Sequence, residues 1–307
     1  MPTAEPLLDR HFLERLERLT IHWQRSFAGL VGGHNASRFA GGGQEFLDHR
    51  NFHHGDDLRA VNWRAYLRLE KLFLKMFQIE PRVPVHMLLD TSASMVSGSA
   101  AGGATPTNSQ ADSKFDVARK IAASLCYIGL VRLDMIALQP FSTDLGEGIV
   151  AGGGRHRFRP IMEYLQRIEA KSVTNFDLVV REFIHSVPQR GLVIVLSDFL
   201  DDGDCLRPLQ YLADYGHELL LIQIYSEEDR TPPWNGELEL VDAETHAEVR
   251  LQFDDQARQQ YTRAFDEYSA ALQQLAMRNG GRYASISTST ELEDIIFGSL
   301  VRTRGIA

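Results

Sequence analysis

Runs of apolar residues and their spacing divide the chain into alternating elements. Val85-His86-Met87-Leu88-Leu89 is apolar almost throughout and ends in Asp90-x-Ser92-x-Ser94. Leu192-Val193-Ile194-Val195-Leu196 is apolar on both faces and ends in Ser197-Asp198. Runs of this kind read as strands covered on both sides, as in parallel sheets. Leu133–Phe141, Leu219–Tyr225 and Arg282–Ile286 read as further strands, and Ile149–Gly154 as a short edge piece. Between them the apolar positions fall at helical spacing in Lys114–Leu130, Arg157–Glu169, Phe176–Val187, Leu206–Tyr215, Ala257–Met277 and Leu292–Val301. Trp234–Phe253 alternates around Asp242-Ala243-Glu244-Thr245 and reads as a β-hairpin. Strands alternating with helices imply right-handed crossovers and a doubly wound, mostly parallel α/β sheet with helices on both faces.

The N-terminal third is patterned differently. Phe12, Leu13, Leu16, Leu19, Trp23 and Phe27 predict a helix over Phe12–Phe27. Residues 29–43 are dense in glycine, but no Gly-Lys-Ser/Thr follows, so a Walker-type phosphate loop is not the reading. Leu72–Glu80 reads as a strand that the Pro81 to Pro84 break folds back beside the central strand, at or near the sheet edge. Residues 96–113 are rich in Ser, Gly, Ala and Thr and read as a flexible loop. The expected division is a segment 1–82 packed on a main domain 83–307, with the hairpin at about 234–253 as an addition.

Composition narrows the function classes. The chain has 307 residues, 44% hydrophobic and 24% charged, with formal net charge −9. That balance is ordinary for a globular protein and argues against a broad nucleic-acid or anionic-membrane surface. There are two cysteines, Cys126 and Cys205, too few for a disulfide framework or a zinc set. Cys126 falls in an apolar helical pattern and is expected in the core. No apolar run reaches ~18 residues, so no membrane span is expected. Residues 1–18 lack an apolar signal core, so a cytoplasmic location is the expectation.

Candidate chemistry sits at the strand ends. In open α/β sheets, ligands bind in the crevice outside the carboxyl ends of the strands, at the switch point. In the order 3-2-1-4-5-6, strands one and four are neighbours there, which would bring Asp90 and Asp198 to one pole. Asp90, Ser92 and Ser94 alternate, so their oxygens can converge. One carboxylate and two hydroxyls make a poor acid–base pair but a good partial shell for a small hard cation. The alternative is that Asp90 and the serines only cap the following turn. Thr174 could N-cap the helix at Phe176, with Asp177 completing a capping box, or supply a further oxygen from the same pole. His53, His54, Asp56 and Asp57 could be metal ligands, but adjacent residues rarely converge on one ion. The favoured reading is a Gly-Asp turn in which Asp56 or Asp57 caps and pairs with Arg50, Arg59 or Arg64. The Arg155–Arg159 basic run reads as a solvated helix start.

Taken in order, Asp90-x-Ser92-x-Ser94, Thr174 and Asp198 resemble the metal-ion-dependent adhesion site of von Willebrand factor A domains. The resemblance runs from about Val83 to the C-terminus. It implies that Ser92, Ser94 and Thr174 bind Mg²⁺ or Mn²⁺ directly, with Asp90 and Asp198 acting directly or through water. A second resemblance covers nearly the whole chain. Gly43-x-Glu45-Phe46, Arg50-x-Phe52, Gly55-Asp56-Asp57-x-Arg59-x-Val61-x-Trp63-Arg64 and Lys114-Phe115-Asp116 are similar to the domain of unknown function 58 family. These are bacterial proteins typically encoded beside MoxR-type AAA+ ATPases and thought to work with them. The 96–113 loop is longer than that family usually has and would sit over the metal pole.

Together these imply a non-enzymatic, Mg-dependent protein-binding module. It would be an adaptor or co-factor of a MoxR-type AAA+ ATPase in a chaperone-like or assembly role, with an acidic side chain of the ATPase or its client completing the metal shell. Asp56, Asp57, Arg59, Trp63 and Arg64 are candidates for a second partner surface. The alternatives are a Mg-dependent hydrolase acting on a phosphoryl group, or a structural protein with an empty site. The hydrolase is disfavoured because neither a general base nor a second carboxylate cluster is evident.

Overall fold

The computed structural model describes residues 7–21, 38–40, 45–53, 56, 58, 61–78, 84–96, 112–170, 173–201, 203–241 and 248–306. In chain order its elements are α1 (Arg10–Leu16), β1 (Arg38–Ala40), β2 (Glu45–Asn51), α2 (Trp63–Leu69), β3 (Phe73–Gln78), β4 (Pro84–Asp90), α3 (Lys114–Val131), β5 (Met135–Phe141), β6 (Ile149–Gly152), α4 (Phe158–Arg167), α5 (Phe176–Ser186), β7 (Leu192–Ser197), α6 (Leu206–Tyr215), β8 (Glu218–Tyr225), α7 (Glu227–Arg230), β9 (Gly236–Val241), β10 (Glu248–Phe253), α8 (Asp255–Arg278) and β11 (Arg282–Ser287). The short α9 (Leu292–Asp294) runs on into a π-helical turn, Ile295–Leu300.

The chain divides into two units, one of residues 1–25 with 84–307 and one of residues 26–83. The boundary thus differs from the expected 1–82 and 83–307, because the first 25 residues belong with the larger unit.

The larger unit is built on a six-stranded sheet in the order β11-β8-β7-β4-β5-β6. Every pairing is parallel except β5 with β6. Counted within the sheet, the order is 3-2-1-4-5-6, so β4 and β7 are the neighbours at the switch point. Side-chain alternation explains why both faces carry helices. Val85, Met87 and Leu89 of β4 and Leu192, Ile194 and Leu196 of β7 enter one core with residues of α1, α3 and α4. Leu88, Val193 and Val195 point the other way, into a core with residues of α5, α6 and α8. Fully burying each such side chain stabilises by roughly 1.5–3 kcal/mol. Cys126 is buried in the first core, as its helical position implied.

Two expectations are corrected. The helix over Phe12–Phe27 is shorter: α1 stops at Leu16, and the residues after Ile21 lie outside the described ones as far as Ser37. The β-branched pair Thr20 and Ile21 disfavours helix there, and Ile21 instead forms a β-bridge with Ile306. The Phe73–Gln78 strand does not join the edge of the main sheet. It is the middle strand of a separate antiparallel sheet, β1-β3-β2, within the 26–83 unit. Its edges are already filled by β1 and β2, and strand periodicity alone carries no information about which partner a strand takes.

The hairpin forms as read, β9 paired antiparallel with β10, while its tip at 242–247 lies outside the described residues. So do most of the glycine-dense stretch and the core of the 96–113 loop.

Candidate functional site

The carboxyl ends of β4 and β7 define the pole. Their parallel register pairs Leu89 with Leu196, which brings the next residues, Asp90 and Ser197, alongside one another. Ser197 Oγ donates to Asp90 Oδ2 at 2.5 Å. Asp90 Oδ1 accepts the backbone N–H of Ser92 at 2.9 Å and the Thr174 hydroxyl at 3.3 Å. Ser92 and Ser94 place their hydroxyl oxygens 2.9 Å apart. Asp90, Ser92, Thr174, Ser197 and Asp198 are all buried, and Ser94 is half-buried. The five residues singled out from the sequence are therefore contributed by the β4 end with its following turn, the loop before α5, and the β7 end.

Local structure explains each placement. Asp90 both caps the turn after β4, through Ser92 N, and faces the pole, so the two readings of Asp90-x-Ser92-x-Ser94 are compatible in one geometry. Ser92 begins a single 3-10 turn, Ala93–Met95, without a side-chain cap bond. Thr174 is not the N-cap of α5. Asn175 holds that position, accepting from Leu178 N at 3.1 Å, which leaves the Thr174 hydroxyl for Asp90. The loop is fastened by Asn175 N to Ser142 O and by Phe176 N to Asp201 Oδ2.

Beyond Asp198 the backbone turns through Phe199, a non-glycine residue at φ 58°. Such a conformation costs on the order of 1 kcal/mol or more and is held by packing. Phe199 is fully buried, stacks on Phe176 at 5.8 Å and gives its carbonyl to the Tyr268 hydroxyl. The turn lets Leu200 N reach back to Asp198 Oδ1 at 3.1 Å.

A lysine completes the electrostatics. Lys114 Nζ lies 2.8 Å from Asp198 Oδ2 and 3.1 Å from Asp229 Oδ2. Burial alone would lower the ammonium, but Asp198 and Asp229 outweigh it and hold Lys114 above its ordinary value. Asp90 is also raised, which for a carboxyl favours the neutral form. Burial, and then the charge of Asp198, push its carboxyl up to about 7, against the bonds from Ser197 and Ser92 that favour the charged form.

Chemically this is an all-oxygen set: three hydroxyls and two carboxylates. It fits a small hard divalent cation, which prefers such ligands and keeps part of its water shell. Neutral inner hydroxyls would leave such an ion with unspent positive charge. Among the described residues there is no group of three or more His, Cys, Asp or Glu arranged to hold a metal.

Sequence reasoning missed Ser197, Lys114, Asp229 and Asp201 as parts of this pole. Lys114 did carry a signal, because a cation at the first residue of a helix opposes the helix dipole unless an anion meets it. Ser197 is the residue beside the expected Asp198, and only the register reveals its partner.

The second candidate surface is on the 26–83 unit. Asp57 and Arg59 lie outside the described residues. Asp56 accepts from His53 N at 2.8 Å and from Arg50 at 2.6 Å, the turn-and-pair arrangement favoured from the sequence. The His53 N–H and Arg50 hold its carboxyl below the ordinary range. Trp63 and Arg64 begin α2 and are exposed.

The family model described as "Protein of unknown function DUF58" matches residues 48–271. Uncharacterized proteins of Mycobacterium tuberculosis and Mycobacterium bovis are each 24% identical over 296 residues, covering 94% of this chain and 89% of theirs. The crystal structure of a conserved hypothetical protein, BatB, from Bacteroides thetaiotaomicron aligns over 72% of this chain and 98% of its own, at 16% identity and TM-score 0.41.

Proposed function

From the premise that this chain belongs to the DUF58 family, we propose that it is a non-enzymatic, cation-dependent protein-binding module. Its larger unit is a von Willebrand factor A-like domain and the β4–β7 pole its metal-ion-dependent adhesion site. The partner is a MoxR-type AAA+ ATPase or that ATPase's client, in a chaperone-like or assembly role. One observation carries the reading: Asp90, Ser92, Ser94 and Thr174 come from segments some 80 residues apart yet interlock through Asp90 Oδ1 and the serine hydroxyls, beside the end of the strand that bears Asp198.

In this reading Ser92, Ser94 and Thr174 offer the direct ligands for Mg²⁺ or Mn²⁺, and Asp90 and Asp198 act directly or through water. Asp90 is suited to this because its oxygens already receive Ser92 N, the Thr174 hydroxyl and Ser197 Oγ. When bound, the ion supplies a positive centre for an acidic side chain of the partner. Among the described residues no helix is long and apolar enough to cross a membrane.

The test is capture of the ATPase, or of its client, by wild-type chain and by Asp90→Ala, each with Mg²⁺ and with EDTA. The expected result is capture by wild type in Mg²⁺ only. Equal capture by Asp90→Ala in Mg²⁺ would remove the pole as the recognition element and turn attention to Asp56, Trp63 and Arg64.

A further inference from the structure

Lys114 is placed where a lysine is least expected. It opens α3, at the positive end of that helix's dipole, and its side chain is only 5% exposed. An ammonium in such a place needs close anions to compensate its lost hydration. Two are present, on different elements: Asp198, just past the end of β7, and Asp229, at the third position of α7. Asp229 is itself fixed, because its Oδ2 also accepts Ser226 N at 2.8 Å in a capping box. The lysine is thus anchored by a second carboxylate that is itself held by the α7 capping box.

The consequence falls on Asp198. Its Oδ2 is taken by Lys114 Nζ and its Oδ1 by Leu200 N. Neither oxygen is without a donor, while the Ser92 and Ser94 hydroxyls lie 2.9 Å from each other. An ion competing for Asp198 has to displace the ammonium or accept Asp198 through water. Of the two carboxylates among the candidate ligands, Asp90 and Asp198, Lys114 pairs with Asp198.

Building on the cation-binding reading above, we propose that Lys114 is an affinity- and specificity-determining residue of the pole. It holds Asp198 out of direct coordination, so the ion binds weakly to the chain alone and keeps the positive charge that attracts an acidic partner group. A purely structural salt bridge would tie α3 to β7 and α7 with no effect on the ion, and the two roles separate experimentally.

Binding of Mn²⁺ alone is measured on the full chain for wild type, Lys114→Met, Asp90→Ala and the Lys114→Met/Asp90→Ala double variant, by titration calorimetry or the loss of free-ion EPR signal. Methionine keeps the length of the stem and removes the charge. Lys114→Met is expected to tighten Mn²⁺ about tenfold, the scale set by one charge a few ångströms away in a partly wet site. The gain should vanish in the double variant. Thermal melting gives a second readout: Mg²⁺ should raise the Tm of Lys114→Met more than that of wild type, because the ion replaces the missing ammonium beside Asp198.

An unchanged or weaker Mn²⁺ affinity in folded Lys114→Met, with wild-type binding still dependent on Asp90, overturns the lysine proposal and leaves the site reading intact. A Lys114→Met chain that stays unfolded at any Mg²⁺ concentration marks the lysine as structural and also overturns the proposal. Mn²⁺ binding insensitive to Asp90→Ala, or absent from every variant, removes both.

Discussion

Ser197 Oγ stands 2.5 Å from Asp90 Oδ2, although the two residues are 107 positions apart in the chain. The same oxygen accepts the N–H of Phe199 at 2.8 Å, so one hydroxyl joins the buried carboxylate to the strained turn that follows Asp198. Ser197→Ala removes a donor to Asp90 and leaves a buried N–H without its acceptor. A loss of about 1–3 kcal/mol is expected. Urea denaturation in EDTA checks it. A change within about 0.5 kcal/mol would mean that the turn does not depend on this hydroxyl.

Much of this geometry was legible in the sequence, for specific reasons. Val85–Leu89 and Leu192–Leu196 are apolar on both faces because helices cover both sides of the sheet, and that made them central strands. Their terminal carboxylates followed from where such strands end. What was not legible depends on partner choice. Nothing in Phe73–Gln78 tells a strand whether it pairs with the main sheet or, as found, with β1 and β2. Thr174 and Asn175 are adjacent residues that can both cap, and only the structure shows Asn175 capping while Thr174 turns to Asp90. Lys114 was visible as a helix start, but its two carboxylate partners lie 84 and 115 residues further on and had no local signature.

At the other end of β4, His86 is buried with both ring nitrogens lacking a hydrogen-bond partner among the described residues. It packs against Phe183 and His217, and Arg190 adds positive charge beside His217. Burial, then the His217 charge, lowers His86 from 6.5 to about 4. The native state therefore resists a proton that the unfolded chain takes up. This contribution is fully present above about pH 6.5 and is lost as pH falls towards 4, with roughly 2 kcal/mol gone by pH 5. His86→Leu should flatten the pH dependence by about that amount. Urea midpoints at about pH 7.5 and pH 5 for both chains give the comparison, and parallel slopes would exclude His86 as the source.

The 26–83 unit has a very small described core: Val61 and Leu74 are buried, with Phe52 and Leu72 against them. The described core alone does not offset the chain entropy of nearly 60 residues. A fragment comprising residues 26–83 is expected to show no cooperative thermal transition by circular dichroism. A sharp, reversible melt of that fragment would show that the unit folds by itself.

The last prediction turns on the sign of one substitution under two conditions. Asp90 and Asp198 end neighbouring strands, both are buried, and the charge of Asp198 opposes ionisation of Asp90. Without a cation, replacing Asp90 by its uncharged isostere removes that repulsion and a buried charge, while Oδ1 still accepts from Ser92 N and the Thr174 hydroxyl and the amide N–H in the place of Oδ2 donates to Ser197 Oγ. Asp90→Asn in EDTA near neutral pH should therefore match wild type or exceed it by about 1 kcal/mol. Saturating Mg²⁺ should reverse the order. A cation that binds only the folded chain stabilises wild type by mass action, about 2.7 kcal/mol at a hundred times its Kd, and the variant loses most of that gain. Thermal melts of both chains in EDTA and in a Mg²⁺ series decide it. Curves that shift together with Mg²⁺ would place the cation elsewhere on the molecule, and a variant already weaker in EDTA would show that Asp90 serves the turn after β4 more than the pole.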